Sequence, residues 1–213
     1  AMPTSEPLAL TAPAAFGAEV FCERRELGIL NLGGGTAAVD VDGVSYTLAA
    51  RECLYVGRGA RSIRFTRIDV APARLFLASF PAHASHPTRH LRPADARQIH
   101  LGAADNANQR TIHQYIHPAG GAASCQLVMG FTELSEGQVW NTMPAHRHPR
   151  RCEVYLYFDL PSEARVVHLM GEPRATRHVV VADGEAVIAP SWSLHAGVGT
   201  AAYRFAWVMG GEN

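Results

Sequence analysis

Four residues in the second half of the sequence could together bind one divalent metal ion. In the segment NTMPAHRHPRRCEVYLYFD, His146 and His148 stand two positions apart, and Glu153 follows at the start of a run of alternating apolar residues. His195 ends the later segment GEAVIAPSWSLH. Neutral imidazoles and a carboxylate suit divalent transition metals, and a site that keeps coordination positions open can catalyse a reaction. The pattern therefore predicts a catalytic metal site made by these side chains.

The predicted ligands would be brought together by strands. Side chains two positions apart in a strand share a face, so His146 and His148 can project together. A turn over the intervening HPRR would let Glu153 rejoin them as the next strand begins. The metal itself stays open at this point, because three imidazoles and one carboxylate suit zinc, iron, manganese, nickel or cobalt.

The other histidines are better explained as surface or hydrogen-bonded residues. His168 and His178 are less clear, because each lies in an alternating strand of the second half and could line a cavity. The remaining histidines lie in or near the connecting region without a partner at strand spacing: His83, His86, His90, His100, His113 and His117.

Strands are the dominant element that the sequence predicts. Short runs with apolar residues at every second position recur along the chain, separated by glycine or proline, as in VSYTL, SIRFTRI, EVYLYF and RVVHLM. Asp42-Gly43 and Asp183-Gly184 predict hairpin turns, because this dipeptide tolerates positive φ angles. Helix signals are scarce, and the best is the short segment PADARQI near Pro93. The sequence thus predicts an all-β chain.

The strands fall into two groups of similar size. Between Pro81 and Arg110 the alternating pattern stops, and the composition predicts a long connection. Each side of this connection has alternating strands, a glycine-rich turn and an apolar closing segment. We therefore predict a duplicated small barrel, with an N-terminal domain over 1–90, a connecting segment over 91–110 and a C-terminal barrel over 111–213.

Composition and charge favour a function on a small molecule. The chain of 213 residues has 19 lysines and arginines against 19 aspartates and glutamates, so no net charge attracts nucleic acid or an anionic membrane. No segment approaches the roughly 20 apolar residues of a membrane helix, and the opening segment lacks a basic region ahead of an apolar run. We expect a cytoplasmic protein without nucleic-acid or membrane partners. Thiols are expected at the four widely spaced cysteines, Cys22, Cys53, Cys125 and Cys152.

The ligand segments resemble the two motifs of the cupin superfamily. HRHPRRCE resembles the first motif, and GEAVIAPSWSLH, with Pro190 five residues before its histidine, resembles the second. Trp192 and the stretch 159–161 replace glycines that are usual in the family, and both changes fall in turns. The resemblance implies two tandem cupin (jelly-roll-like) β-barrels. Only the C-terminal barrel would hold metal, because the first half has no His-x-His followed by a glutamate.

Longer segments are similar to one cupin family, the 5-keto-4-deoxyuronate isomerases, or 4-deoxy-L-threo-5-hexosulose-uronate ketol-isomerases. These segments are CERRELGILNLGGG, NTMPAHRHPRRCEVYLYFDLP, GEPRATRHVVV, AVIAPSWSLHAGVGT and MGGEN. The resemblance implies an aldose-ketose isomerase that converts 5-dehydro-4-deoxy-D-glucuronate to 3-deoxy-D-glycero-2,5-hexodiulosonate in pectin and polygalacturonate degradation. It also implies zinc, one ion per chain, and a homohexamer. Family members start earlier and run further, so we expect this chain to lack both ends.

The implied reaction needs a general base that moves a proton between neighbouring carbons through an enediol. Tyr155 and Tyr157 follow Glu153 at every second position, so both should share its face, and a buried phenol could bond the sugar or carry the proton. His168 is a further candidate if its strand faces inward. A metal-bound water is another, and core packing explains the tyrosines equally well.

The substrate carboxylate calls for a cation with two parallel donors, as in a guanidinium. Arg177 is the preferred candidate, because it lies in a strand of the predicted metal-bearing barrel. Three further arginines lie near the motifs, although solvated surface positions explain each of them equally well: Arg147, Arg150 and Arg151.

Other functions fit parts of the same pattern. A related cupin could isomerise a different sugar acid, such as 5-deoxyglucuronate, with the same metal chemistry. A cupin could also bind a sugar without turnover, or use iron as a dioxygenase in a similar ligand set. No basic stripe or DNA-binding helix pair supports a regulator.

Overall fold

The structure is a computed structural model that describes residues 1–212. Strands dominate this range, no α-helix occurs within it, and the all-β prediction is confirmed. No helix among these residues is long and apolar enough to cross a membrane. Short 3₁₀ helices occupy Ala14–Phe16, Pro93–Asp95 and Ala104–Asn106. The strands described are β1 Leu8–Ala9, β2 Arg25–Asn31, β3 Ala37–Val41, β4 Val44–Leu48, β5 Cys53–Val56, β6 Ile63–Arg67, β7 Leu75–Pro81, β8 Arg89–Leu91, β9 Arg97–Leu101, β10 Arg110–His117, β11 Gly120–Gly121, β12 Val128–Leu134, β13 Trp140–His146, β14 Arg151–Phe158, β15 Val166–Glu172, β16 Ala175–Val181, β17 Ala186–Ala189, β18 Leu194–Gly199 and β19 Arg204–Gly211.

The chain forms two compact units that interleave in sequence. The first unit contains residues 1–96 and 115–128, and the second contains residues 97–114 and the chain from 129 onward. The three boundaries fall directly before β9, within β10 and at the start of β12. The division made from the sequence stays a prediction, with its ranges 1–90, 91–110 and 111–213.

The first unit contains two four-stranded antiparallel sheets. One has the order β1-β6-β3-β4, and the other has the order β7-β2-β5-β8. Apolar side chains from both sheets form its core, and they are fully or almost fully buried because the strands alternate between core and solvent. This core includes Leu27, Ile29, Val39, Leu54 and Phe65.

The second unit contains the strands that carry the predicted ligands. A four-stranded sheet has the order β13-β18-β15-β16, and a larger sheet runs through β12-β19-β14-β17 with β10 beside β12. His146 and His195 belong to the four-stranded sheet, whereas Glu153 belongs to β14 of the larger one. The predicted ligands therefore come from two different sheets of one unit.

The two Asp-Gly turns have different outcomes. Asp42 and Gly43 have φ angles of 52° and 85° and join the paired strands β3 and β4, so this hairpin is confirmed. The hairpin predicted at Asp183-Gly184 is wrong, because β16 pairs with β15 and β17 pairs with β14. Gly184 has a φ of 79°, but Asp183 lacks a positive φ, and the favoured two-residue hairpin turn needs both. This turn instead carries the chain from one sheet to the other.

The predicted connection between Pro81 and Arg110 contains two strands, so the prediction that strands stop there is wrong. β8 pairs with β5, and β9 pairs with β10 over five residues. Both strands are short and rich in charged or polar residues, so backbone pairing rather than an apolar pattern defines them. The helix signal near Pro93 corresponds to a single 3₁₀ turn, Pro93–Asp95.

The two departures from the cupin motifs lie in turns. Asp159 has a φ of 54°, a left-handed conformation that aspartate adopts more readily than most residues. Trp192 lies in the turn before β18, where the Ser193 N–H donates to the Pro190 carbonyl at 2.9 Å. Both turns therefore form without the usual glycines.

Candidate metal centre

His146 and His195 lie opposite each other on neighbouring antiparallel strands. His146 ends β13 and pairs with His195 on β18, so their side chains leave the same face of the sheet. Their ring centroids are 4.8 Å apart. His195 is buried, whereas His146 is exposed. The pair therefore extends from the buried interior to the solvent-facing edge of the second unit.

His148 reaches the same point from a turn. β13 ends at His146, so the prediction that both histidines project from one strand is wrong, and His148 instead precedes β14. Its ring centroid nevertheless lies 4.9 Å from that of His146 and 5.1 Å from that of His195. The HPRR turn, rather than strand periodicity, brings this imidazole to the cluster.

Glu153 completes the group from the larger sheet. Its Oε2 atom lies 3.0 Å from Nε2 of His195 and 3.2 Å from Nε2 of His148. Burial acts to raise the pKa of this carboxyl, but the two imidazoles outweigh it and hold the pKa below its ordinary value. The carboxylate is therefore held in its charged form.

The arrangement fits a divalent metal ion. His146, His148 and His195 each offer one ring nitrogen, and these atoms lie within 4.8 Å of one another. Glu153 Oε2 and His195 Nε2 are buried, and although they lie 3.0 Å apart, their contact lacks hydrogen-bond geometry. Buried polar atoms are normally satisfied, so two atoms in this state at the centre of four ligand-type side chains fit a site that an ion would complete.

Tyr155, Tyr157 and His168 line the interior beneath the cluster. Both tyrosines are almost fully buried on the face of β14 that carries Glu153, as the sequence predicted. The Tyr155 ring lies 5.5 Å from the His195 ring, between centroids. His168 is completely buried, so its strand faces inward. All three candidates for the proton-transferring group are thus inside the unit, and Tyr155 is in ring contact with a predicted ligand.

A hydrogen-bonded group of buried side chains lies around Tyr157. Its hydroxyl is 2.7 Å from Nδ1 of His168. The Asn141 amide donates to the Tyr203 hydroxyl at 2.6 Å. Gly197 makes room for this group, because a Cβ there would lie 2.9 Å from the Tyr157 hydroxyl and 2.8 Å from Asn141 Nδ2. Burial raises the pKa of Tyr157 and lowers that of His168 to about 4.

Arg177 shares a transverse row of the four-stranded sheet with His195. Met170 on β15 pairs with His195 on one side and with Arg177 on the other, so all of these side chains leave the same face. Two strand spacings separate Arg177 from His195, which is roughly 10 Å. Arg177 is exposed on the edge strand β16. Its direction fits the predicted contact with substrate, although its position is at the rim.

The remaining sequence candidates lie away from the cluster. His178 is exposed and points to the opposite face of β16 from Arg177. Arg147 and Arg150 are exposed, and Arg150 pairs with Glu212. Within residues 1–212, the histidine cluster includes none of the following: His83, His86, His90, His100, His113 and His117.

Sequence reasoning missed Arg110 and Thr142. Arg110 is only 7% exposed and donates to the carbonyl oxygens of Asn108 and Met143. Thr142 has a φ of 52°, which is strained for a β-branched residue, and its hydroxyl lies 3.2 Å from that of Tyr155. A charged residue at the start of a strand after a polar loop gives no sign of burial, and nothing in the sequence indicates the positive φ of Thr142.

Comparison with known sequences identifies one family for nearly the whole chain. The family model described as the KduI/IolB family matches residues 3–213. A 4-deoxy-L-threo-5-hexosulose-uronate ketol-isomerase from Opitutus terrae is 54% identical over 99% of this chain and 76% of its own length. One from Kineococcus radiotolerans is 51% identical over 100% of this chain and 77% of its own length. One from Dickeya dadantii is 51% identical over 92% of this chain and 70% of its own length.

Solved structures show the same fold at low identity. An IolB-like protein from Salmonella typhimurium superposes with a TM-score of 0.78 and 17% identity, covering 99% of this chain and 81% of that chain. An oxalate decarboxylase from Lactobacillus farciminis gives a TM-score of 0.60 with 12% identity, covering 89% of this chain and 71% of that chain. These likenesses indicate an all-β fold with cupin-like neighbours.

Proposed function

The chain belongs to the KduI/IolB family, and from this premise we propose a metal-dependent ketol-isomerase in which His146, His148, Glu153 and His195 hold the ion. Relatives about half identical over nearly the whole chain are named 4-deoxy-L-threo-5-hexosulose-uronate ketol-isomerases. The chain is accordingly an isomerase of uronate breakdown, the pathway that degrades pectin. The observation that supports the metal dependence is the convergence of three imidazoles and one carboxylate from two sheets and the turn before β14.

The ion would work as an electrophile at the reacting carbons. When bound, a divalent metal polarises the carbonyl and hydroxyl oxygens of the substrate and so favours removal of the proton between them. Glu153 and the three imidazoles would fix the ion at the end of the interior lined by Tyr155. Because His195 and Glu153 are buried, the ligands on this side are shielded from water. His146 is exposed, which gives the substrate a side from which to enter.

The proton-transferring group is proposed among Tyr155, Tyr157 and His168. Tyr155 is the best placed, since its ring is in contact with that of His195 and its hydroxyl lies 3.2 Å from that of Thr142. Tyr157 and His168 lie in hydrogen-bond contact with each other. Their contact suits a role in which Tyr157 and His168 hold a proton. They would also fix the position of Tyr155, whose ring centroid is 5.2 Å from that of His168.

Several finer features are proposed together with this activity. The proposed fold is two tandem cupin barrels with metal in the C-terminal one. In its support, the one three-residue cluster of ligand type found within 1–212 lies in the second unit. Zinc is the proposed ion on the family resemblance, and three imidazoles and a carboxylate are compatible with it as with other divalent metals. A homohexamer and a cytoplasmic location are proposed on the family resemblance.

A second function is an isomerase for another sugar acid, such as 5-deoxyglucuronate. The matching family model is described by both the KduI and the IolB names, which favours it. A sugar-binding protein without turnover would share the metal site but form no product. Turnover measured on both sugar acids, without oxygen, separates these functions from each other and from an oxygenase.

The test is elemental analysis of the purified protein together with an assay of the diketo acid product. We expect one divalent ion per chain, and we expect His146→Ala and Glu153→Gln to lose both metal and turnover. His178→Ala is the matched control, because this histidine is exposed on the opposite face of the sheet and should keep both. Full metal content and turnover in either ligand variant would contradict the assignment.

A further inference from the structure

Arg110 is a buried cation in the second unit that has no carboxylate partner among the described residues. Its side chain is only 7% exposed. It donates through Nη1 to the Asn108 carbonyl at 2.8 Å and through Nη2 to the Met143 carbonyl at 3.4 Å. Within residues 1–212, no salt bridge includes it. A guanidinium has five N–H donors, so these two carbonyls leave most of its capacity for another acceptor.

The backbone register places Arg110 on the face of the larger sheet that carries the site. Tyr155 pairs with Trp207, and the Trp207 indole donates to the Thr132 hydroxyl at 3.1 Å. Thr132 in turn pairs with Ile112, two residues along β10 from Arg110. Side chains two apart in a strand share a face, so Arg110 and Tyr155 point into the same interior.

The contacts of Arg110 also lead towards the metal centre. Its Met143 partner is the neighbour of Thr142, whose strained backbone places a hydroxyl 3.2 Å from that of Tyr155. Tyr155 contacts the ring of His195. Burial lowers the pKa of Arg110, yet a guanidinium stays charged at neutral pH. An unpaired buried charge is costly, so such a group is normally matched by an anion.

We propose that Arg110 binds the carboxylate of the substrate while the reacting carbonyl end lies at the histidine cluster. This inference rests on the proposed function, because a uronate has its carboxylate at the opposite end from its aldehyde carbon. A guanidinium binds a carboxylate through two parallel hydrogen bonds, which fixes orientation as well as position. Arg110 therefore selects acids over neutral sugars and sets which carbons reach the ion.

Arg177 is the competing cation for the same role. It is exposed on an edge strand, so solvent screens its charge, whereas Arg110 lies in a desolvated interior where a charge pair is stronger. The two arginines come from different sheets of the unit. Substituting each arginine separately therefore shows which of the two binds the substrate carboxylate.

The experiment compares Arg110→Met, Arg110→Lys, Arg177→Met and wild type as metal-loaded protein. Binding of D-galacturonate and of its methyl ester is measured by calorimetry, and KM and kcat are measured on the keto-uronate. Arg165→Met is the matched control. That arginine also donates to two backbone carbonyls, those of Ser162 and Ala164, but it is exposed.

We expect Arg110→Met to weaken binding of the acid about tenfold or more and to leave binding of the ester unchanged, with metal content retained. KM should rise more than kcat falls, and Arg110→Lys should be intermediate because it keeps the charge without the paired donors. Arg165→Met should behave as wild type. Equal losses for acid and ester, or a loss of acid preference only in Arg177→Met, would overturn the proposal.

The binding measurement keeps this proposal separate from the proposed function. If wild type fails to convert the keto-uronate but prefers the acid to the ester through Arg110, then the isomerase proposal fails and the Arg110 proposal stands. If wild type converts the substrate and Arg110→Met keeps the acid preference, then the isomerase proposal stands and the Arg110 proposal fails. If Arg110→Met fails to fold, Arg110→Lys tests the proposal instead. Full acid preference in Arg110→Lys would contradict the two-bond contact between the guanidinium and the carboxylate.

Discussion

The Tyr157 hydroxyl lies 2.7 Å from Nδ1 of His168, and both side chains are completely buried inside the second unit. The other ring nitrogen of His168, Nε2, is buried without a hydrogen-bond partner within the described range. Burial lowers the pKa of this imidazole to about 4, with a further contribution from His195. His168 is therefore neutral in the folded protein at pH 7.

This relationship makes stability depend on pH. Between the unfolded pKa of His168 near 6.5 and its folded pKa of about 4, the unfolded chain binds more protons, so stability falls as pH falls. Converting the shift gives a loss of roughly 2–3 kcal/mol between pH 7 and pH 4.5. We expect the free energy of unfolding of His168→Gln to fall by correspondingly less between pH 7 and pH 4.5. Denaturant unfolding of metal-free protein at both pH values measures this, and equal losses in the two proteins would contradict it.

Metal removal should destabilise the second unit. Glu153 Oε2 and His195 Nε2 are buried in a contact that lacks hydrogen-bond geometry, and an ion that binds the folded state alone adds stability by mass action. At 100 times its dissociation constant, an ion adds about 2.7 kcal/mol. We expect chelation to lower the Tm of wild type and zinc to restore it.

The matched control for metal removal is His195→Gln, which lacks one proposed ligand. Its Tm should respond little to chelator or zinc, whereas His178→Ala should respond as wild type does, because that residue is exposed on the far face of β16. A wild-type Tm that zinc does not move would count against the site.

The convergence of the four proposed ligands could be predicted because their positions follow local rules. Glu153 begins an alternating strand, and His195 follows a motif that resembles a cupin turn, so the sequence alone located both. His148 was assigned to the site but to the wrong element, since β13 ends two residues earlier. His148 lies in the turn between β13 and β14. The bounds of that turn depend on how these two strands pair with other strands, and the alternation of apolar residues does not encode that pairing.

Long-range contacts explain what the sequence could not predict. Arg110 bonds the carbonyl of Met143, 33 residues away, and a charged residue after a polar loop suggests exposure. The Asp183-Gly184 turn contains the residues of a hairpin, yet the strands on either side pair elsewhere. Turn chemistry is local, whereas the choice of strand partner depends on which faces the whole unit can bury.

Glu26 should be essential to the stability of the first unit. Its fully buried carboxylate accepts hydrogen bonds from the Tyr55 hydroxyl at 2.8 Å and from the backbone N–H groups of Cys125, Gln126 and Leu127 at 2.7–2.8 Å. Glu26→Ala removes the acceptor from all of these donors at once. We expect a loss of about 3–5 kcal/mol in the free energy of unfolding.

Denaturant unfolding followed by fluorescence measures the effect of Glu26→Ala. Glu6→Ala is the control, because Glu6 is exposed and should change stability by less than about 0.5 kcal/mol. If the two variants were equally stable, the carboxylate would not tie β2 to residues 125–127 as its hydrogen bonds indicate.

Gly197 should be required for the position of Tyr157. A Cβ at this residue would lie 2.8 Å from Asn141 Nδ2 and 2.9 Å from the Tyr157 hydroxyl, closer than real contacts allow. Gly197→Ala must therefore displace both side chains and break the contact between Tyr157 and His168. Overpacking of this kind costs about 1–3 kcal/mol. We expect reduced stability and a lower kcat, measured by unfolding and by product formation.

A second substitution shows whether the hydroxyl is the cause of the clash at Gly197. Tyr157→Phe removes that oxygen, so in the Gly197→Ala background it should recover part of the lost stability, whereas alone it should destabilise by removing a buried hydrogen bond. The double-mutant cycle then gives a favourable coupling energy, because the two residues are in direct contact. Additive losses would mean that Asn141, and not Tyr157, is the group that a side chain at residue 197 displaces. In that case substitution of Asn141, rather than of Tyr157, should restore stability and kcat in the Gly197→Ala background, since Asn141 Nδ2 lies 2.8 Å from the added carbon.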